Sequence, residues 1–144
     1  MVQSQHSSGL PPSITISSRD LARLEAMLES PALSRHPAAI ALSEELGRAR
    51  IVAPEQMPAD VVTMHSRLEC QDELQGDTHT LTLVYPNEAD VERHRVSVLA
   101  PVGSALLGLS LGQCIDWETP QGRKLRLRVT AIHYQPEAAG DFHR

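Results

Sequence analysis

The chain has 144 residues, 41% of them hydrophobic, 22% charged and only 3% aromatic, with 13 Lys+Arg against 18 Asp+Glu and a net charge of −5. That length allows a buried core in one domain or two small ones, and the scarcity of rings argues against a base-stacking platform or an aromatic-lined pocket. Neither half is basic, with five basic and six acidic side chains in 1–58 and eight and twelve in 59–144, which disfavours unaided binding to nucleic-acid phosphates.

Residues 1–12 are polar and end in Pro11-Pro12, and a disordered tail is expected. The first ten residues lack the basic start and apolar run of a signal peptide. Residues 13–53 read as an antiparallel helical hairpin. Ser17 and Asp20 have capping-box spacing, with Ile16 and Leu21 placed as the staple across it. Leu21, Leu24 and Leu28 then mark one helical face, and Pro31 stops the helix near Ser30. Pro37 suits the first turn of a second helix, where Ala39, Leu42, Leu46 and Ala49 form the stripe and Glu44 can pair with Arg48. Residues 54–58, bracketed by two prolines, read as a linker.

From residue 59 the period changes to two. Val62, Met64, Leu68 and Cys70 alternate with Thr63, His65, Arg67 and Glu69. A second strand runs through Leu81, Leu83 and Tyr85. Pro86–Arg93 is a polar loop, Arg95–Leu99 a short strand, and Ser104–Leu107 a helical turn. Cys114–Glu118 and Arg123–His133 pair across Thr119-Pro120-Gln121-Gly122. The pattern predicts an α+β chain: a short helical hairpin, then a domain over 59–144 with four or five antiparallel strands and one short helix. The strands are expected to bury their apolar faces against one another and the short helix, without help from the hairpin.

Catalytic chemistry finds little support. The seven histidines include no H-x-x-x-H pair, although His65 and His79 fall on adjacent predicted strands and could meet across them. Two cysteines make neither a disulfide framework nor a zinc quartet, which fits a reducing cytoplasm, and Cys70 reads as a small core residue. No nucleophile elbow, P-loop or dinucleotide fingerprint is present. The expectation is a protein that is not an enzyme and needs no cofactor or metal. Lys124, Arg126 and Arg128 alternate with Leu125, Leu127 and Val129, placing three cations on one sheet face. That face either docks an acidic partner or pairs with Asp116 and Glu118 across the hairpin.

The run Ser97–Gly108, continuing through Gly112, Trp117-Glu118-Thr119-Pro120 and Gly122, resembles the C-terminal domain of the Gre transcription elongation factors. Pro54–Met64, Val84-Tyr85-Pro86 and Tyr134–Asp141 resemble more particularly the Rnk branch of that family, the regulators of nucleoside diphosphate kinase. The resemblance implies an N-terminal antiparallel coiled coil followed by an FKBP-like domain that docks on bacterial RNA polymerase at the rim of its secondary channel. It implies docking through Pro101 with Ser97, Leu99, Ala100 and Val102; the alternative is that Pro101 only ends a strand. In the cleavage factors of this family, acidic residues at the coil tip help hold a catalytic metal ion. Here the tip, with Pro31, Leu33, Arg35 and His36, has no carboxylate, and Glu29 stands at its shoulder. Metal recruitment needs converging carboxylate oxygens, so the expectation is polymerase binding without stimulation of transcript cleavage. An effect on nucleoside diphosphate kinase, direct or through transcription, is the alternative. Neither a membrane nor a sequence-specific nucleic-acid partner is expected.

Overall fold

A computed structural model describes residues 14–118 and 122–142. The expected tail 1–12 and residues 119–121 of the hairpin turn lie outside the described residues.

Strand β1 (Thr15–Ser17) leads into helix α1 (Ser18–Leu28), whose first amides are capped by Ser17: its hydroxyl accepts the Asp20 amide at 3.0 Å. Helix α2 (Pro37–Gly47) begins with proline in its first turn, and His36 caps it by accepting the Ala38 amide on Nδ1 at 3.1 Å. Each helix has 11 residues, about 16 Å. Their apolar stripes, Leu24 and Leu28 against Ala39, Leu42 and Leu46, are buried. The second helix stops sooner than its stripe suggested. After Gly47 the β-branched pair Ile51-Val52 enters strand β2 (Arg50–Val52), which pairs in parallel with β1 at the base of the hairpin. Arg48 pairs with Glu45 at 2.6 Å, not with Glu44.

The five-stranded sheet has the order β5-β4-β3-β7-β6, built from β3 (Arg67–Asp72), β4 (Thr78–Val84), β5 (Arg95–Ser97), β6 (Cys114–Glu118) and β7 (Lys124–Tyr134). Two expectations need correction. The alternation at 62–70 is not one strand. Ser66 Oγ accepts the Thr63 amide at 2.9 Å and the Ser66 amide bonds Thr63 O at 3.0 Å, so the chain turns, with His65 at φ 68°. The ladder starts only at Arg67, although Val62, Met64, Leu68 and Cys70 are all buried as expected. The sheet is also not wholly antiparallel. Two 3₁₀ turns, Pro86–Glu88 and Val91–Arg93, carry the chain back along the edge, so β5 joins β4 in parallel.

Helix α3 (Pro101–Leu106) packs under β5, and helix α4 (Pro136–Ala139) follows β7. Gly103 permits the first contact, since a Cβ there would stand 2.1 Å from Ser97 O. The core runs without a break from the hairpin into the sheet. Ile14, Ile16, Leu24 and Leu42 share it with Met64, Leu68, Leu83 and Leu106–Leu109. At the seam Thr15 donates to Gly108 O at 3.1 Å, and Gly108, at φ +83°, leaves room for Ile14. The sheet domain is therefore covered partly by the N-terminal segment. The expectation of strand faces closed without it is corrected by Ile14 and Ile16, which a period-two reading leaves outside the core.

Candidate docking surface

Along β4 and β5 at the sheet edge lies an open groove of about 1030 Å³ that takes its lining from both faces. Its apolar part is formed by Leu81, Val96, Leu125 and Leu127 from one face, while Arg67 and Arg95, in register with Thr82, come from the other face, and Arg93, His79 and His94 also line it. These three arginines and both histidines are exposed. A cationic rim beside an apolar patch, on a chain of net charge −5, favours a partner that brings both acidic and apolar side chains. At the lip is Val91, 90% exposed in a 3₁₀ turn. Asp90 holds that turn by accepting the Glu92 amide at 3.1 Å.

Ser97, Ala100 and Val102, expected from the sequence as docking contacts, line the groove. Ser97 shapes this end: its hydroxyl accepts the Leu99 amide and its carbonyl the Ala100 amide, each at 3.0 Å. Pro101 is exposed beside them, but it opens α3 rather than ending a strand. Its carbonyl accepts from Ser104 Oγ at 3.1 Å. Leu99 is half-buried and packs against the core instead of lining the groove. Sequence reasoning missed Val91 and the arginine rim. The visible signal is the run Val91-Glu92-Arg93-His94-Arg95, an apolar residue followed by clustered cations, which periodicity marks only as loop and strand start.

The cationic stripe on β7 lies on the sheet face opposite Leu125 and Leu127, which alternate with it and line the groove. Arg126 meets Asp116 at 2.8 Å, as anticipated across the hairpin. Arg128 instead meets Glu73, in the turn after β3, at 2.6 Å, and donates to Gly112 O at 2.6 Å. The Arg128 hydrogen bond holds the Glu73 carboxyl below its usual range. Lys124 is opposite Glu118 in the ladder register.

At the hairpin tip the turn is closed by backbone bonds, Leu33 and Ser34 amides to Ser30 O and His36 amide to Leu33 O. Leu33 packs inward, His36 is occupied as a helix cap, and Pro31 and Arg35 are exposed. Glu25, Glu29 and Glu44 line a shallow groove of about 430 Å³ behind the tip, so the nearest carboxylates sit on the flank of the hairpin. Among the described residues no cluster of three or more His, Cys, Asp or Glu side chains is placed to hold a metal ion. His65 and His79 do not meet: His65 hydrogen-bonds Glu88 at 2.8 Å, whereas His79 lines the sheet groove. Cys70 is buried, and burial pushes its thiol up to about 11. No described helix is long and apolar enough to cross a membrane.

Comparison with known proteins gives a consistent result. Residues 57–134 match the family described as transcription elongation factor, GreA/GreB, C-term, and residues 12–52 match the Rnk N-terminus. The chain is 47% identical over 131 residues to the regulator of nucleoside diphosphate kinase of Escherichia coli (strain K12), spanning 91% of this chain and 96% of that one. It is 33% identical over 117 residues to the transcription inhibitor protein Gfh1 of Thermus thermophilus, spanning 80% of this chain and 66% of the relative. A solved structure, the prokaryotic transcription elongation factor GreA/GreB from Nitrosomonas europaea, superposes with a TM-score of 0.71 at 45% identity, over 85% of this chain and 99% of that one. These relatives are named as regulators or factors, not as enzymes. With its helices first and its sheet second, and with both segments matched in that order, the chain belongs to the GreA/GreB transcription elongation factor family, in the branch marked by the Rnk N-terminus.

Proposed function

We propose that this protein is a regulator that binds bacterial RNA polymerase at its secondary channel and does not stimulate transcript cleavage. The observation that carries this reading is the sheet groove, where Ser97, Ala100 and Val102 meet an apolar patch and an arginine rim, with Pro101 exposed alongside. Pro101 is locked in φ and so presents its ring at little entropic cost. Two hairpin features support binding without cleavage. Helices of 11 residues reach only about 16 Å, and the exposed charge in the tip turn is Arg35, which repels a divalent cation. The β7 stripe of Lys124, Arg126 and Arg128 is the second choice of surface, because its two arginines already engage carboxylates.

The test is co-purification with core RNA polymerase. Pro101→Arg and Val91→Asp are expected to weaken binding without changing the melting temperature. Binding that survives both would move the interface, and Lys124→Glu with Arg126→Glu would then be the next pair to measure. A second reading follows from the name of the 47% identical relative: direct binding to nucleoside diphosphate kinase. Retention of purified kinase by the immobilised protein, with no retention of polymerase, would select it.

A further inference from the structure

Three elements meet where the helical hairpin rests on the sheet domain: the first turn of α1, the turn at 63–66, and α4. Asp20 lies at that junction and is 3% exposed. Ser17 forms its half of the capping box, but the Asp20 side chain does not turn back to complete it. Its Oδ2 accepts the Met64 amide at 3.2 Å, a bond from the hairpin to a residue 44 positions away. From α4 comes Glu137, whose Oε1 accepts from Thr63 Oγ1 at 2.8 Å. Two carboxyl groups therefore grip adjacent residues of one buried turn.

The charges around Asp20 are opposed. On its own helix Arg19 and Arg23 favour the ionised form, as does the Met64 amide. From α4, Glu137 disfavours it. Beyond β4, the Tyr85 ring lies 5.7 Å from the Arg23 guanidinium, and Glu88 is engaged by His65 from the 63–66 turn at 2.8 Å. Burial is the largest influence and Glu137 the next. Together they outweigh the amide and the two arginines, and the carboxyl is pushed up to about 7.

We propose that Asp20 is a proton-operated clasp: its neutral form is accommodated in the buried seam between the helical hairpin and the sheet domain, and its ionised form, buried beside Glu137, loosens that seam even though the Met64 bond by itself favours the carboxylate. The inference is independent of polymerase docking. The sign follows from linkage. In an opened seam Asp20 is solvated and its affinity for protons returns toward that of a free carboxylate, so the closed seam binds the proton more tightly. Closure is favoured fully below about pH 4, and the advantage is lost as pH rises toward about 7, after which no further change is expected. Over that interval the opening equilibrium rises by up to about tenfold per pH unit.

Hydrogen exchange at the Met64 amide of the full chain reads this directly, once rates are corrected for the intrinsic pH dependence of exchange. Protection is expected to fall by about tenfold or more between about pH 5 and about pH 7, then level off. Amides in the centre of β3 should change far less. Asp20→Asn keeps an oxygen acceptor but cannot ionise, and its protection should be flat with pH. Glu137→Gln removes the repelling charge and should move the midpoint to lower pH. A flat wild-type profile, an Asp20→Asn protein that keeps the wild-type pH dependence, or a fall shared equally by β3 would overturn the clasp. If Asp20→Asn does not fold, the Glu137→Gln midpoint decides: a lowered midpoint supports the proposal, and an unmoved one ends it.

Discussion

Gly108 shows how one backbone position can fix the arrangement of two segments. It sits at φ +83°, and a Cβ added there would stand 2.6 Å from the Ile14 Cβ. Gly108→Ala therefore combines a left-handed backbone with overpacking, and should cost about 2–4 kcal/mol, read as a lowered urea midpoint with an unchanged slope. The two cysteines should separate chemically. Cys70 is 1% exposed, with burial raising its thiol to about 11, whereas Cys114 is half-exposed at the sheet edge. A thiol reagent at neutral pH should label one site in the native protein and a second only on unfolding. Rapid native labelling of Cys70 would show that the core around β3 opens. Asp20 marks the limit of local reading. Its spacing from Ser17 fits a capping box, and the Ser17 half forms, yet the carboxylate turns to a partner that only the folded chain supplies.

At the scale of elements, the helices and most strands follow from periodicity, because their buried faces are local repeats. The strands β1 and β2 do not. Each has three residues, too few for a period to register, and their pairing joins positions on either side of the hairpin. The parallel addition of β5 is likewise hidden from pattern, since strand direction depends on the path of the turns before it. These cross-chain contacts sharpen a prediction about autonomy. A fragment of residues 59–142 loses Ile14, Ile16 and Asp20 from the seam. It should keep the five-stranded sheet by far-ultraviolet circular dichroism but melt several degrees below the whole chain. A fragment of residues 14–53 should be largely unfolded, because helices of 11 residues are marginal alone. Equal melting of the longer fragment and the full chain would mean the seam adds nothing.

At the scale of the whole molecule, the groove joins an apolar patch from one sheet face to Arg67 and Arg95 from the other, and on that second face Arg126 and Arg128 are tied to Asp116 and Glu73. The docking reading leads to antagonism. A protein that uses the polymerase site of a Gre cleavage factor but brings no acidic tip should lower cleavage in proportion to occupancy, and excess Gre factor should restore it, because two ligands of one site exclude each other. RNA release from a backtracked elongation complex measures this. Cleavage by this protein alone, lost in Glu29→Gln, would make the flank carboxylates metal ligands. Inhibition that excess Gre factor cannot reverse would place the site elsewhere.

What the sequence determined by itself were the features written in short-range pattern and in motif. The α+β order, both helix starts, the inward set from Val62 to Cys70, the acid-free tip and the family resemblance each depend on residues close together in the chain. Part of the candidate dock was legible for the same reason, since Ser97, Ala100, Pro101 and Val102 lie within one run. Tertiary structure decided the rest. It set Val91, Arg93 and Arg95 on the same groove as Leu125 and Leu127, turned Leu99 against the core, and paired Arg128 with Glu73. It also drew Ile14 onto Gly108 and Asp20 onto Met64. Each of these joins residues that lie in different elements of the chain. Such contacts form only when burial of a shared core repays the entropy of closing the intervening chain, and no local pattern records which distant partner the core will select.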